Sequence, residues 1–342
     1  MAGIEEDYDK KGGLLESEDV RTGFVSGVTF KRKPVQYTVV DGLAVFEGCI
    51  VLGTVEEMQE VDRKVLTDSP DEAGDLQHGV GVTGQHLRWP GGLMPYEIDS
   101  GLPNQQRVHD AIQHWEQNTA MRFVQRTSAN ASQYPNYVRF REATGCWSQV
   151  GMRGGRQDIG LAGGCGVGAA IHEIGHAFGL WHEQSREDRD KHVKINWQNI
   201  ESGKEHNFNQ HISDGDDYGP YDYGSIMHYP TWAFSKNGQP TIETIPPGIP
   251  IGQRSGLSAG DIAAIHAMYT VWHHNVTVAR AYTTHHAKNA WALISGMGWR
   301  RIEADTNDGV SNVFATVVEA VANTRKLNVY ADGSKLYRAQ LV

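Results

Sequence analysis

Cysteine is scarce in this chain of 342 residues, which contains only three. So few cysteines exclude a disulfide scaffold, and their odd number leaves at least one thiol that needs its own explanation. Apolar runs stay well short of the roughly 18 residues that a membrane-spanning helix needs. Basic residues are outnumbered, with 31 Lys and Arg against 41 Asp and Glu and a formal net charge of −10. We therefore expect no membrane span and no nucleic-acid partner, because an acidic chain without a basic stripe binds polyanions poorly.

Glycine and histidine are plentiful instead, with 39 and 16 residues. Hydrophobic residues make up 39% and charged residues 21% of the chain, which is a globular balance. A polar segment at 68–75 and a change of pattern after Tyr269 predict three parts. These parts are residues 1–78, residues 79–270 and a small mixed α/β domain at 271–342.

Local patterns predict an α+β fold. Asp41-Gly42 lies between two short apolar runs, which favours a β-hairpin. Apolar residues at helical spacing predict helices, in chain order, near 54–66, 105–118, 169–178 and 258–269. In the last part of the chain we expect strands at 275–283 and 326–331 with a helix between them. Tyr282, Trp291 and Trp299 are expected to belong to a small core, and the alternative is that they form a binding platform. The adjacent pairs His273-His274 and His285-His286 are interpreted as surface histidines, because neighbouring residues of a strand point to opposite faces.

The strongest motif is at residues 172–182, which read HEIGHAFGLWH. On a helix, His172 and His176 share one face and can bind one zinc ion, while Glu173 can reach a water beside the metal. Gly179 can end the helix in a left-handed conformation, so that His182 returns as a third ligand. Three protein ligands leave one position open, as a catalytic zinc site requires.

The spacing HExxHxxGxxH is the metzincin zinc signature, and the chain resembles the astacin family of zinc proteases in particular. Residues 182–190 (HEQSREDRD), 225–229 (SIMHY) and 89–96 (WPGGLMPY) carry that resemblance, and Gly252-Gln253-Arg254 resembles the end of the catalytic domain. The resemblance covers roughly residues 80–270. It implies a two-lobed α+β catalytic domain with a zinc-binding helix, one catalytic zinc and the hydrolysis of polypeptide substrates.

The resemblance also assigns roles to single residues. Met227 would form an apolar floor under the zinc, and Tyr229 would contact the metal and then support the tetrahedral intermediate, with Glu173 as the general base. Glu183 would receive the new N-terminus after activation. Arg254 would line the pocket for the residue after the scissile bond, and its guanidinium favours Asp or Glu there.

Two cysteines, Cys146 and Cys165, match one of the two disulfides typical of the family, and the cysteines of the other are absent. A disulfide implies an oxidising compartment, so we expect a secreted or extracellular protein. The first 18 residues lack the basic and apolar regions of a secretory signal. Either the signal has been removed or secretion takes another route.

The remaining cysteine, Cys49, lies in Phe46-Glu47-Gly48-Cys49. Astacin pro-segments resemble Phe-x-Gly-Asp, in which the aspartate binds the zinc and keeps the enzyme latent. Here a cysteine stands at the ligand position, and a thiolate binds zinc better than a carboxylate does. The alternative is a buried free thiol on an apolar strand, which is the usual fate of a lone cysteine.

The sequence therefore predicts a latent zinc endopeptidase that an activating protease, or the enzyme itself, opens within 68–84. The new N-terminus would lie near Val80, and an extended substrate would pair with an edge strand near residues 146–150. Two alternatives stay open. One is a zinc protein without catalysis, against which the presence of Glu173 speaks. The other is an adhesion or surface-binding protein whose main function lies in residues 271–342.

Overall fold

The structure is a computed structural model that describes residues 13–26, 32–67, 87–211, 216–284, 289–303, 307–333 and 335–342. The described residues form two compact units. The first extends to Ala263 without residues 90–93 and 118–122, which belong with the second unit and its residues from Ala264 onward. Within these ranges, no helix has both the length and the apolar character to cross a membrane.

The described part of the chain mixes helices and strands, which confirms the predicted α+β class. The α-helices are α1 (Val55–Thr67), α2 (Gln106–Asn118), α3 (Val167–Phe178), α4 (Ala259–Tyr269) and α5 (Asn307–Ala322). The strands up to the zinc motif are β1 (Val20–Val25), β2 (Lys33–Val40), β3 (Leu43–Phe46), β4 (Ile50–Thr54), β5 (Leu93–Ile98), β6 (Arg122–Gln125), β7 (Tyr137–Glu142), β8 (Trp147–Ser148) and β9 (Arg156–Leu161). The later strands are β10 (Val193–Ile195), β11 (Ile242–Thr244), β12 (Val271–Thr283), β13 (Ala290–Ile294), β14 (Gly298–Ile302), β15 (Lys326–Ala331) and β16 (Lys335–Leu341).

The predicted hairpin is confirmed: β2 and β3 pair antiparallel on either side of Asp41-Gly42. Both turn residues have positive φ, 50° and 75°, which a tight two-residue turn between twisted strands requires. Helix α1 then begins with a reciprocal cap, in which the Glu57 N–H donates to Thr54 Oγ1 and the Thr54 N–H donates to the Glu57 carboxylate. The hairpin and the helix therefore have local sequence causes.

One nine-stranded sheet joins the N-terminal strands to those that precede the zinc motif, in the order β1-β2-β3-β4-β8-β9-β7-β5-β6. The junction is short: β4 pairs parallel with β8 through Ile50 and Ser148. The Ser148 N–H also donates to the Cys49 carbonyl at 2.9 Å. The strand edge near residues 146–150, which was predicted to receive substrate, is thus occupied by the N-terminal segment in this structure.

The second unit contains a closed barrel of five strands in the order β12-β13-β14-β16-β15. Its core is made of aliphatic and alanine side chains, among them Ala292, Ile302, Leu327 and Val329. The prediction that the aromatic residues of 271–342 form a core was wrong, because Tyr282 and Trp299 are 54% and 44% exposed. Alternation along the strands places the small residues inside, where a five-stranded barrel has little room.

The other predicted helices and strands are confirmed, and the predicted ends differ from the observed ends by at most four residues. The segments 68–75 and 68–84 lie outside the described residues, and so does the pair His285-His286.

Candidate metal centre

Helix α3 carries the first two histidines of the motif. His172 and His176 lie one turn apart and are buried, as are their neighbours from Ala170 to Phe178. The helix ends at Gly179, whose φ of 109° is left-handed and whose N–H donates back to the helix carbonyls. This αL cap reverses the chain within three residues and brings His182 to the same point.

Four donor atoms meet at this point: the Nε2 atoms of His172, His176 and His182 and the Sγ of Cys49. They lie within 4.8 Å of one another and all four residues are buried. Cys49 Sγ is 3.6, 3.4 and 3.2 Å from the three Nε2 atoms in that order. A tetrahedral zinc ion with ordinary bond lengths would set its ligands about 3.3 Å apart for two nitrogens and about 3.6 Å apart for sulfur and nitrogen. The cluster therefore has the size and the donor set of a closed zinc site.

Each histidine is oriented by an acceptor at its other ring nitrogen. The Nδ1–H groups of His172 and His176 donate to the carbonyls of Ile226 at 2.8 Å and Leu180 at 2.7 Å. Burial lowers the pKa of all three imidazoles. They are therefore neutral, with the Nε2 lone pair free for a metal, which is the usual arrangement of ligating histidines.

Glu47 is the residue that sequence reasoning missed. Its Oε2 accepts from His182 Nδ1 at 2.8 Å, and its Oε1 accepts from Ser185 Oγ at 2.8 Å and His211 Nε2 at 2.9 Å. Burial alone would raise the pKa of this carboxyl, but His211 and His182 hold it well below its usual range. An ionised carboxylate from the N-terminal segment thus orients the third histidine. The available signal was an acidic residue two positions before Cys49, in the short turn between the apolar strands β3 and β4.

Burial raises the pKa of the Cys49 thiol, so without a metal the thiol is protonated. A coordinated cation reverses this preference, because a thiol that binds zinc loses its proton. Cys49 is also the free cysteine of the described chain, since Cys146 and Cys165 are joined in a disulfide with their Cα atoms 6.0 Å apart.

Glu173, Tyr229 and Met227 surround the cluster. Glu173 is buried, and its Oε2 has no hydrogen-bond partner among the described residues. An unpartnered carboxylate oxygen beside four converging donors fits a site that also holds a metal ion or water. The Tyr229 hydroxyl donates to the Glu47 carbonyl at 2.7 Å. Met227 packs under α3 at Gly175, where a Cβ atom would lie 2.8 Å from its sulfur.

Arg254 and Glu183 lie near the same centre. Arg254 Nη1 donates to the carbonyls of Ile226 at 2.8 Å and His228 at 3.1 Å, which fixes the guanidinium beside residues 225–229. Its positive charge acts on Glu173 and Cys49. Glu183 accepts from the Asp222 N–H at 2.7 Å, and burial raises its pKa to about 8.

Three histidines, a cysteine and an unpartnered glutamate in one buried cluster define a mononuclear zinc protein. Comparison with known proteins specifies the class further. Residues 81–270, more than half of the chain, match the profile of the peptidase family described as Astacin. The chain therefore belongs to the astacin family.

Named relatives agree with this assignment. The chain is 35% identical to Protein SpAN of Strongylocentrotus purpuratus over 277 residues, which are 78% of this chain and 44% of that protein. It is 42% identical to Blastula protease 10 of Paracentrotus lividus over 66% of this chain and 38% of that protein. The chain thus spans less than half of these relatives' length. A solved structure of high choriolytic enzyme 1, a hatching enzyme zinc-protease from Oryzias latipes, is 39% identical with a TM-score of 0.48 and covers 53% of this chain and 92% of its own.

Proposed function

We propose that this chain is a zinc-dependent endopeptidase held in a latent form by its own N-terminal segment. The observation that carries the proposal is the position of Cys49 Sγ, 3.2–3.6 Å from the Nε2 atoms of the three motif histidines. A fourth protein ligand closes the position that a catalytic zinc site keeps open for water and substrate. The zinc-binding motif at 172–182 thus supports peptidase activity, and the position of Cys49 supports inhibition of that activity in the unprocessed chain.

In the active form, His172, His176 and His182 would hold the zinc. Bound zinc would supply Lewis acidity for a scissile carbonyl and a water molecule. Glu173 takes up the proton of the attacking water and returns it to the leaving amine, for which its unpartnered Oε2 is available. The Tyr229 hydroxyl, released from the Glu47 carbonyl, donates a hydrogen bond to the developing oxyanion.

Latency rests on more than the thiolate. The N-terminal segment also occupies the strand edge at Ser148 and engages the Tyr229 hydroxyl. Glu47 holds His182 from the same segment. Removal of the N-terminal segment would therefore free the fourth zinc position, the strand edge for substrate and the Tyr229 hydroxyl together.

Residues 1–78 would then be the pro-segment, 79–270 the protease domain and 271–342 an accessory domain. An activating protease, or a second copy of the enzyme, would cut the polar strip at 68–84 and create an N-terminus near Val80. The new amine would move toward Glu183, whose buried carboxylate already accepts one backbone N–H. The Cys146–Cys165 disulfide supports secretion into an oxidising compartment.

Arg254 supports a preference for acidic residues after the scissile bond. Its Nη1 is held by the carbonyls of Ile226 and His228, so the guanidinium is fixed close to Glu173 and the metal ligands. A fixed guanidinium pairs with a carboxylate through two parallel hydrogen bonds. We therefore propose polypeptide substrates with Asp or Glu at that position.

Zinc-edge X-ray absorption on the unprocessed chain tests the proposal. We expect one sulfur scatterer at about 2.3 Å together with nitrogen scatterers at about 2.0 Å. Cys49→Ala should lose the sulfur signal and be partly active toward casein, or cleave itself, before an activating protease is added, because the segment still fills the cleft but no longer binds the metal. Cys49→Asp is the matched control, since a carboxylate can still occupy the fourth position and keep the chain latent. A zinc shell without sulfur in the wild-type chain would contradict the proposed role of Cys49 as a zinc ligand. Absence of casein cleavage after limited proteolysis would contradict the proposal that the chain is an endopeptidase.

A further inference from the structure

The barrel of the second unit has a specific connectivity. Strands β12, β13 and β14 follow one another as neighbours, α5 comes next in the chain, and β16 lies between β14 and β15. The β14–β16 pair is parallel, whereas the other pairs of the barrel are antiparallel. This is the topology of the OB-fold, a barrel that carries oligosaccharide or oligonucleotide sites on the face of its second and third strands. Since a fold alone does not assign a function, the ligand must be inferred from the side chains on that face.

The outer face of β12–β14 carries the large side chains of this barrel. On β13 the buried positions are Ala290, Ala292 and Ile294, so Trp291 and Leu293 point outward. On β14 Trp299 and Arg301 are exposed, and on β12 Tyr282 and Arg280 are exposed. Trp299 and Tyr282 are 44% and 54% accessible, although such rings usually contribute to a core.

Strand register arranges these residues in two rows. Tyr282, Trp291 and Arg301 are consecutive cross-strand partners and form the first row. Arg280, Leu293 and Trp299 form the second row in the same way. Neighbouring strands are about 4.8 Å apart, so each row spans about 10 Å and the two rows form one continuous patch. Trp291 is further fixed by its indole N–H, which donates to Asn289 Oδ1 at 2.7 Å.

We propose that this patch binds an acidic polysaccharide. Aromatic rings cover the apolar faces of sugar rings, and the guanidinium groups of Arg280 and Arg301 at opposite corners pair with sulfate or carboxylate groups. Charge complementarity supports this partner: residues 271–342 contain eight Lys and Arg but five Asp and Glu, although the whole chain has a net charge of −10. The second unit is therefore the basic part of an acidic protein.

A single-stranded nucleic acid would use similar contacts, but two observations disfavour it. The patch offers two guanidinium groups, whereas nucleic-acid grooves follow a backbone with many basic contacts. The Cys146–Cys165 disulfide also favours an oxidising compartment outside the cytosol, where disulfides persist. An oligonucleotide is therefore the competing ligand in the test.

Binding is measured on the full, unprocessed chain, so the result does not depend on peptidase activity or on latency. The probes are heparin as a sulfated polysaccharide, dextran as an uncharged one and a 20-nucleotide oligothymidylate. We expect heparin to bind, dextran to bind at least tenfold more weakly, and heparin affinity to decrease as salt is added. Trp299→Ala and Arg301→Ala should each weaken heparin binding at least tenfold, and Trp299→Tyr should restore most of it.

Trp197→Ala is the matched control, because Trp197 is 46% exposed but belongs to the first unit. It should bind heparin as the wild type does. Thermal melts of each variant show whether the barrel remains folded. The proposal is wrong if heparin does not bind, if the Trp299 and Arg301 variants bind it like the wild type, or if oligothymidylate binds more tightly than heparin.

Discussion

Replacing Glu47 by glutamine tests the proposed latent form, because Glu47 reaches the metal centre from the N-terminal segment. The wild-type carboxylate accepts three hydrogen bonds, one at Oε2 from His182 and two at Oε1 from Ser185 and His211. Glutamine keeps the shape but has one oxygen and one NH2 group. Whichever way the amide turns, its NH2 faces at least one donor. If it faces His182, the imidazole loses the acceptor that holds the proton on Nδ1.

The expected loss of zinc affinity in Glu47→Gln can be estimated in two ways. Losing a hydrogen bond to a buried charged group costs about 1.5–3 kcal/mol. Losing the partner that orients a metal-bound histidine lowers metal affinity about 10–100-fold, which corresponds to about 1.4–2.8 kcal/mol. The two estimates agree, so unprocessed Glu47→Gln should release zinc to a chelator about 10–100-fold more readily than the wild type.

The assay titrates a chromogenic chelator against purified, zinc-loaded chain before and after processing. Glu56→Gln is the control, because Glu56 is an exposed acid of the same segment in α1. Once the cleaved segment that carries residue 47 has been separated from the enzyme, the mutant and wild-type enzymes are the same molecule and should retain zinc equally. An unprocessed Glu47→Gln chain that retains zinc as tightly as the wild type would refute this account of Glu47.

Three further predictions test the catalytic domain. Processed Glu173→Gln should bind one zinc per chain and lose at least about 100-fold in casein cleavage, because the general base is gone; near wild-type cleavage would contradict that role. Arg254→Ala should reduce the enrichment of Asp and Glu after the scissile bond in cleavage-site profiling, and an unchanged profile would remove Arg254 from the pocket. Gly168→Ala should lower the free energy of unfolding by about 1–3 kcal/mol or more, because its Cβ would lie 1.7 Å from the Arg254 carbonyl oxygen. The control Gly163→Ala, whose Cβ meets nothing within 4 Å, should melt like the wild type.

The centre was predictable where its geometry is local. His172 and His176 need only one helical turn, and Gly179 needs only its own left-handed conformation to return His182. Glu47 was not predictable in this way, because its partners His182 and His211 are 135 and 164 residues away in the chain. Its role exists only once the tertiary structure has formed.

Residues 271–342 show a second limit of sequence reasoning. Trp291 and Trp299 were expected to belong to a small core, with a binding platform as the alternative. The strands alternate in the opposite sense, with Ala290 and Ala292 buried in the barrel. Strand periodicity fixes which residues share a face, but it does not say which face is inside when the small residues are the ones that fit there.

The pairing of β4 with β8 has a kinetic consequence. The proposed cut within 68–84 would break one peptide bond but leave the pairing of the described N-terminal strands in the nine-stranded sheet in place. What changes is the effective concentration of the inhibitor, which falls from about the millimolar range of a tethered segment to the concentration of the protein itself. Activity should therefore follow cleavage with a delay set by dissociation, and the cleaved enzyme should be more active when diluted than when concentrated. Under the proposed latency, dilution as much as proteolysis would determine when activity begins.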